Sequence, residues 1–137
     1  MEERRRNSGT SGKALRLEGI EINVDSQGYD IGVEYKTHVE NIGWQDVKSN
    51  EELSGTFGQS LRLEAIQISL TGADADKYDI YYQVHAQNYG WLGWGKNGES
   101  AGTEGFGYRL EAIKIVVVPK GSDAPAIDST LLPFYKK

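Results

Sequence analysis

An internal repeat of roughly 46 residues is the strongest constraint on the fold of this chain. One element occurs three times, starting at Ser8, Ser54 and Ala101, and reads SGTSGKALRLEGIEI, SGTFGQSLRLEAIQI and AGTEGFGYRLEAIKI. A second element occurs twice, as HVENIGW at His38–Trp44 and as HAQNYGW at His85–Trp91. Because a unit of this size cannot bury its apolar face alone, the copies must pack against one another.

The repeats predict a single domain over residues 8–120, flanked by two short ends. The first copy has only the second half of the unit, and a charged segment stands where its first half would be. The predicted parts are a charged tail (1–7), a half repeat (8–24), two full repeats (29–70 and 78–118) and a C-terminal strap (119–137).

Alternating apolar and polar residues predict a strand in the first half of each full repeat. The apolar face of these two strands is formed by Val33, Tyr35, Thr37 and Val39, and by Ile80, Tyr82, Val84 and Ala86. The opposite face carries Glu34, Lys36, His38 and Glu40, and then Tyr81, Gln83, His85 and Gln87. Short strands are expected at Trp44–Val47 and Trp91–Trp94, with turns at the Asn-x-Gly and Gly-Thr-x-Gly sequences.

The Leu-Arg-Leu-Glu-Ala-Ile sequence predicts a strand with an irregularity in its middle. The apolar positions change phase after Glu64-Ala65, and they do so again at Glu18-Gly19 and Glu111-Ala112. Since a period of two cannot slip by one in a regular strand, a β-bulge or bend is expected there. Arginine and glutamate lie two residues apart at each bend, so we expect an ion pair that holds it, or alternatively a contact to a ligand hydroxyl or carboxylate.

These patterns predict an all-β fold with approximate threefold pseudo-symmetry, because three copies of the strand with the phase change are present to surround one axis. The expected arrangement is β-trefoil or β-prism-like, and a β-sandwich is the alternative. The incomplete first copy predicts an unpaired strand edge. Either the two chain ends cover that edge, or two chains pair there and form a homo-oligomer.

Composition narrows the classes of function. The net charge of −5 argues against a nucleic acid partner, which needs a clustered basic face. No apolar stretch approaches the roughly 20 residues of a membrane span, so no membrane insertion is expected. The absence of cysteine and the spacing of the two histidines indicate neither a metal site nor a cofactor. Equivalent glutamates on separate copies share one environment, so no catalytic acid–base pair is expected and the chain is predicted not to be an enzyme.

The two elements, taken in their order and spacing, resemble the Clostridial hydrophobic W (ChW) repeat. The likeness covers about Ser8 to Lys120. It implies a module exported by a Gram-positive bacterium, in which case its export signal is not in this chain. It also implies an extracellular position at the cell surface and attachment to the cell wall or to polysaccharide.

The candidate ligand-binding residues recur at equivalent positions. The predicted surfaces consist of Trp44, His38 and Gln45 in the first full repeat, and of Trp91, His85, Tyr89 and Trp94 in the second. An indole offers an apolar face for a sugar ring and an N–H for a polar partner. The alternative is that Trp44 and Trp91 are core anchors, that the histidines bond to a turn, and that Asn41 and Asn88 cap their own turns.

Two functions from different classes fit this pattern. In the first, the chain is a non-catalytic module that binds polysaccharide or peptidoglycan, because tryptophan, tyrosine, histidine and amide groups recur together. In the second, it is an adhesion or assembly module that binds a protein partner through its repeated aromatic surfaces and its strand edge. Two equivalent shallow sites would gain avidity on a polymer.

Overall fold

The computed structural model describes residues 4–9, 19–20, 22, 29–50, 52–55, 62–122 and 131–136. These residues form an all-β structure, as predicted, and their only helical segment is one turn of 3-10 helix at Ala75–Lys77. The strands are, in chain order, β1 (Arg4–Gly9), β2 (Gly19–Ile20), β3 (Gly32–Val39), β4 (Gly43–Trp44), β5 (Lys48–Ser49), β6 (Ser54–Gly55), β7 (Leu63–Thr71), β8 (Tyr78–Ala86), β9 (Gly90–Trp91), β10 (Gly95–Lys96), β11 (Ser100–Glu104), β12 (Leu110–Pro119) and β13 (Phe134–Lys136).

Each full repeat is built on one long antiparallel pair, β3 with β7 and β8 with β12. The predicted apolar faces of β3 and β8 are buried and form one continuous core with the isoleucines of β7 and β12. The opposite face of β3 is half-buried, as alternation predicts. The opposite face of β8 differs, because Tyr81 and Gln83 are also buried there.

The predicted irregularity is a β-bulge at the glutamate. On the β3–β7 pair, Val39 faces Leu63 and His38 faces Ala65, so Glu64 is the extra residue. On the β8–β12 pair the register shifts between Leu110 and Ala112, which makes Glu111 the extra residue. An extra residue lets the strand keep apolar side chains in the core on both sides of the phase change. The third such position, Glu18, lies outside the described residues.

The three copies of the Gly-Thr element make equivalent pairings, and they do so in cyclic order. Ser54 of the second copy is paired with Ile20 of the first, and Ala101 of the third is paired with Ile66 of the second. Ser8 of the first copy is paired with Ile113 of the third. The first residues of this element therefore form strands β1, β6 and β11, and the prediction of a turn there is wrong for these residues.

Both ends of the chain lie along strand edges. β1 pairs with β12, and β13 adds to β11 in parallel. The strap also approaches Gly93, where a Cβ atom would collide with the carbonyl oxygen of Leu131, so only glycine fits. Among the described strands, neither end pairs with β2 of the half repeat, so covering of the edge left by the missing half and pairing of two chains there both stay predictions.

The segment after each repeated Asn-x-Gly turn differs from its predicted form. The expected strand at Trp44–Val47 ends after Trp44, and a separate strand begins at Lys48. The same break follows Trp91. The turns before these tryptophans contain Asn41 and Asn88, which have positive φ angles of 65° and 71°. Asparagine tolerates this left-handed conformation better than most residues, which accounts for its recurrence there.

Candidate ligand-binding site

A chain of charged side chains fixes the bulge of the first full repeat. Glu64 is almost completely buried, and its Oε2 accepts a hydrogen bond from Arg62 Nε at 3.0 Å. Arg62 also reaches Glu40, with 2.7 Å between its Nη1 and Oε2. The other carboxylate oxygen, Glu64 Oε1, lies 3.1 Å from His38 Nδ1. The predicted Arg–Glu ion pair at the bend is therefore present.

The second full repeat has the same arrangement with one substitution. His85 Nδ1 lies 3.0 Å from Glu111 Oε1, and Arg109 Nε lies 3.3 Å from Glu111 Oε2. Gln87 stands where the first repeat has Glu40, and its side-chain oxygen accepts a bond from the Arg109 backbone. Both histidine Nδ1 atoms are buried and close to a carboxylate, although neither makes a well-aligned hydrogen bond. The histidines thus contact the bulge glutamate and not a turn backbone.

Each repeated tryptophan covers its histidine. The rings of His38 and Trp44 meet edge to face at 5.5 Å, and those of His85 and Trp91 do so at 5.2 Å. Both indoles are half-buried and lie outside the apolar core. The interpretation of Trp44 and Trp91 as core anchors is therefore wrong. The core lies on the opposite faces of β3 and β8, and neither indole is part of it.

A lysine ammonium lies over each indole, yet it comes from a different strand in each repeat. Lys36 of β3 lies 5.8 Å from the Trp44 ring centroid, and Lys114 of β12 lies 4.3 Å from that of Trp91. Lys36 is paired across the sheet with Gln67, whereas Gln83 is paired with Lys114. The lysine thus lies on the first long strand in one repeat and on the second long strand in the other, with glutamine as its cross-strand neighbour in both. The cation–π contact is present in both repeats.

The first predicted surface is brought together by the structure. Trp44 and Gln45 line one shallow open groove, whose other lining residues are Asp46, Lys48, Leu53 and Gly55. The side-chain oxygen of Gln45 accepts a hydrogen bond from the Gly55 N–H at 2.8 Å. The Trp44 indole N–H donates to Glu104 Oε1 at 3.2 Å, across 60 positions of sequence. Both polar groups therefore have partners within the chain.

The second predicted surface is divided among three places. The Trp91 ring meets that of His85 edge to face, but Trp94 packs against Tyr81, Val116 and Val118 on the outer face of β8 and β12. The equivalent of Trp94 in the first full repeat is Val47, which is 51% exposed. Trp94 is therefore half-buried by a small apolar cluster of its own, which accounts for the burial of Tyr81.

Tyr89 belongs to an aromatic cluster that the sequence patterns did not predict. Its ring stacks on Tyr135 at 5.0 Å with 10° between the planes, and it meets Phe106 and Tyr108 edge to face. All four rings are half-buried. A signal for this cluster exists in the sequence, because the third Gly-Thr element reads GFGY where the others read GKAL and GQSL.

The described part of the chain contains neither a cluster of metal ligands nor a helix that could span a membrane. Within it, no three His, Asp or Glu side chains converge as metal ligands would. Its single helical turn is far too short to cross a membrane.

Comparison with known proteins identifies the repeat. The model of the family described as Clostridial hydrophobic W (ChW) matches residues 38–72 and 85–119, which together make just over half of the chain. Each match runs from the histidine under the tryptophan to the end of the strand that carries the bulge. Searches of curated proteins and of solved structures found no match. The resemblance inferred from the two elements is thus confirmed, and the chain belongs to the ChW family.

Proposed function

We propose that this chain is a non-catalytic module that attaches to polysaccharide of the cell wall, on the outer surface of a Gram-positive bacterium. The observation that carries the proposal is that each full repeat holds a half-buried indole outside the core, on an identical support of histidine, glutamate and arginine. A rigidly supported aromatic ring beside polar groups suits recognition of a sugar, which has apolar C–H faces and many hydroxyls.

The two supports also favour binding to a polymer. Both lie on the outward side of a long strand pair, at matching positions of the two repeats. Two weak contacts on one chain raise the effective affinity for a repeating ligand, provided that the ligand spans both. A polysaccharide meets this condition, whereas a single small sugar does not.

We further propose that the copies surround one axis with approximate threefold symmetry, in a β-trefoil or β-prism-like arrangement. The cyclic pairing of β1, β6 and β11 supports this, because each copy contributes one strand to the copy before it, and the first copy contributes one to the third. Close approach of β11 to the bulged strand depends on Gly102, where a Cβ would collide with the Glu64 carbonyl oxygen.

Sedimentation of the protein with insoluble material tests the binding. Purified Gram-positive walls stripped of protein, and insoluble neutral and acidic polysaccharides, should retain the chain. Retention only on walls that still carry protein would instead identify an adhesion module that binds a protein partner. Trp44→Ala and Trp91→Ala should remain folded in thermal melting, because neither ring is part of the core, so that a loss of retention can be assigned to binding.

A further inference from the structure

The outer face of the β3–β7 pair carries a polar groove that no sequence pattern predicted. Glu34 faces Ser69 across the two strands, and Lys36 faces Gln67 two residues further along. Residues that alternate along a strand share a face with their cross-strand partners, so these four side chains stand together. They form most of an open groove, the β3–β7 groove, whose lining includes Glu34, Lys36, Val47, Gln67, Ser69 and Gly98.

The second full repeat has the same face, but a tryptophan covers it. Trp94 packs on Tyr81 and Val116, which are the equivalents of the first of these polar pairs. The first full repeat has the exposed Val47 in place of Trp94. One strand pair thus has a flat ring seated on its outer face, and the other keeps an open groove with polar walls at the same place.

The β3–β7 groove has room for one ring. Its volume is about 170 Å³, which is below the roughly 300 Å³ at which typical small-molecule pockets begin. Gly98 helps to keep the groove open, because a Cβ atom at this position would lie 3.0 Å from the Ser69 hydroxyl oxygen. Its φ angle of 88° also disfavours a side chain there. A single sugar ring fits this space, whereas a longer stretch of glycan must continue outside it.

Opposite charges lie side by side in this groove. Glu34 brings a carboxylate and Lys36 an ammonium, two residues apart on the same face of β3. An anionic ligand would be repelled by the carboxylate and a cationic ligand by the ammonium, whereas a hydroxyl can donate to the one and accept from the other. The Ser69 hydroxyl adds a further donor and acceptor, and Gln67, held by its 2.9 Å bond to the Ser100 hydroxyl, adds an amide. This set of groups suits a neutral ring with several hydroxyls.

The groove also adjoins the first indole surface, because the Lys36 ammonium lies 5.8 Å from the centroid of the Trp44 ring. We propose that the β3–β7 groove binds one neutral sugar ring of the polysaccharide, through hydroxyls that bond to Glu34, Lys36 and Ser69, while the next ring of the glycan lies on Trp44. In the second full repeat, Trp94 occupies the place that the sugar takes in the first. This inference rests on the proposed function and makes it narrower, because it assigns the class of sugar and its site.

Binding of soluble polymers to the full chain, measured by titration calorimetry, tests the class of sugar. Dextran, galactomannan and hydroxyethyl cellulose are the neutral polymers, polygalacturonate is the acidic one and glycol chitosan the cationic one. The comparison is made at high salt, because the net charge of −5 attracts a cationic polymer over long range. We expect at least one neutral polymer to bind about tenfold or more tightly than both charged ones, and its affinity to change less than about twofold between low and high salt.

Matched variants test the location. Val47→Trp copies Trp94 and should fill the groove, which weakens binding of that neutral polymer by about tenfold or more. Leu132→Trp adds the same ring to an exposed position of the strap and should change binding less than about twofold. Glu34→Gln should weaken binding about tenfold through loss of a charge-assisted hydrogen bond, whereas Asp76→Asn removes an exposed carboxylate of the 3-10 turn and should change it less than about twofold. Thermal melting verifies that each variant is folded.

The outcomes separate this inference from the proposed function. Tighter binding of a charged polymer at high salt, or retention on stripped walls without binding of any neutral polymer, would overturn the neutral sugar and leave the glycan-binding proposal in place. Undiminished binding by either of the folded variants Val47→Trp and Glu34→Gln would overturn the assignment to the β3–β7 groove. Absence of binding to every polymer and to stripped walls would overturn both proposals.

Discussion

His38 and Glu64 face each other at the β-bulge of the first full repeat, with 3.1 Å between His38 Nδ1 and Glu64 Oε1. Glu64 is the residue that the bulge adds to its strand, and bulging turns its side chain to the outer side of the sheet beneath Trp44. The same relationship joins His85 and Glu111 in the other repeat. Each full repeat has one such β-bulge, and this bulge therefore sets the position of that repeat's tryptophan.

Removal of the bulge carboxylate should destabilise the fold. In Glu64→Ala, Arg62 and the buried side of His38 lose the carboxylate that they share. We expect the free energy of unfolding to fall by about 2–3 kcal/mol. The loss is no larger because both partners are partly solvated. Glu34→Ala, on the outward face of the same β3 strand, is the control and should change it by less than about 0.5 kcal/mol. Urea unfolding measures both, and equal effects would show that the bulge does not depend on the carboxylate.

The stability of the protein should fall in alkaline solution because of Tyr82. Burial raises the pKa of this phenol from its ordinary value of 10.0 to about 12, although backbone hydrogen bonds from Ile68 and Gly98 act in the opposite direction. The folded state thus holds the proton more tightly than the unfolded chain. The stabilisation is complete below pH 10 and is lost as the pH rises from about 10 to about 12, with a total of roughly 2–3 kcal/mol.

Tyr82→Phe isolates this effect. The hydroxyl of Tyr82 donates to the Glu99 carbonyl, so the variant should lose about 1–2 kcal/mol at neutral pH. Between pH 10 and 12 its stability should fall less steeply than that of the unmodified chain, because the titrating group is gone. Urea unfolding at closely spaced pH values measures both curves, and parallel curves would exclude Tyr82 as the source.

Trp94→Ala should lower stability as well as remove a candidate contact surface. Its place in the sequence predicts a position on a binding surface, but its ring packs on Tyr81, Val116 and Val118. Uncovering these side chains should cost about 1–3 kcal/mol. Val47→Ala changes the equivalent, exposed position of the first full repeat and should cost less than about 0.5 kcal/mol. A stable Trp94→Ala variant would argue that the ring contributes to binding and not to packing.

The sequence by itself determined the features that depend on local periodicity. The buried face of β3, the bulge at Glu64 and the ion pair of Arg62 with Glu64 all followed from alternation and from residues two positions apart. These features are local because a strand's period fixes which side chains share a face, whatever the strand packs against. The repeat also showed which residues are equivalent, since copies of one unit reuse one set of contacts.

The tertiary structure alone decided what lies on top of the outward faces. Lys114 reaches Trp91 from another strand, Glu104 reaches Trp44 from the next copy, and Trp94 covers Tyr81 through a loop. No spacing along the chain encodes these contacts, because they join residues of different strands whose neighbours follow from the pairing of the sheets. The sequence therefore identified two equivalent tryptophans. Only the packing of the copies made their surroundings different, because the side chains that contact each indole come from a different strand or copy.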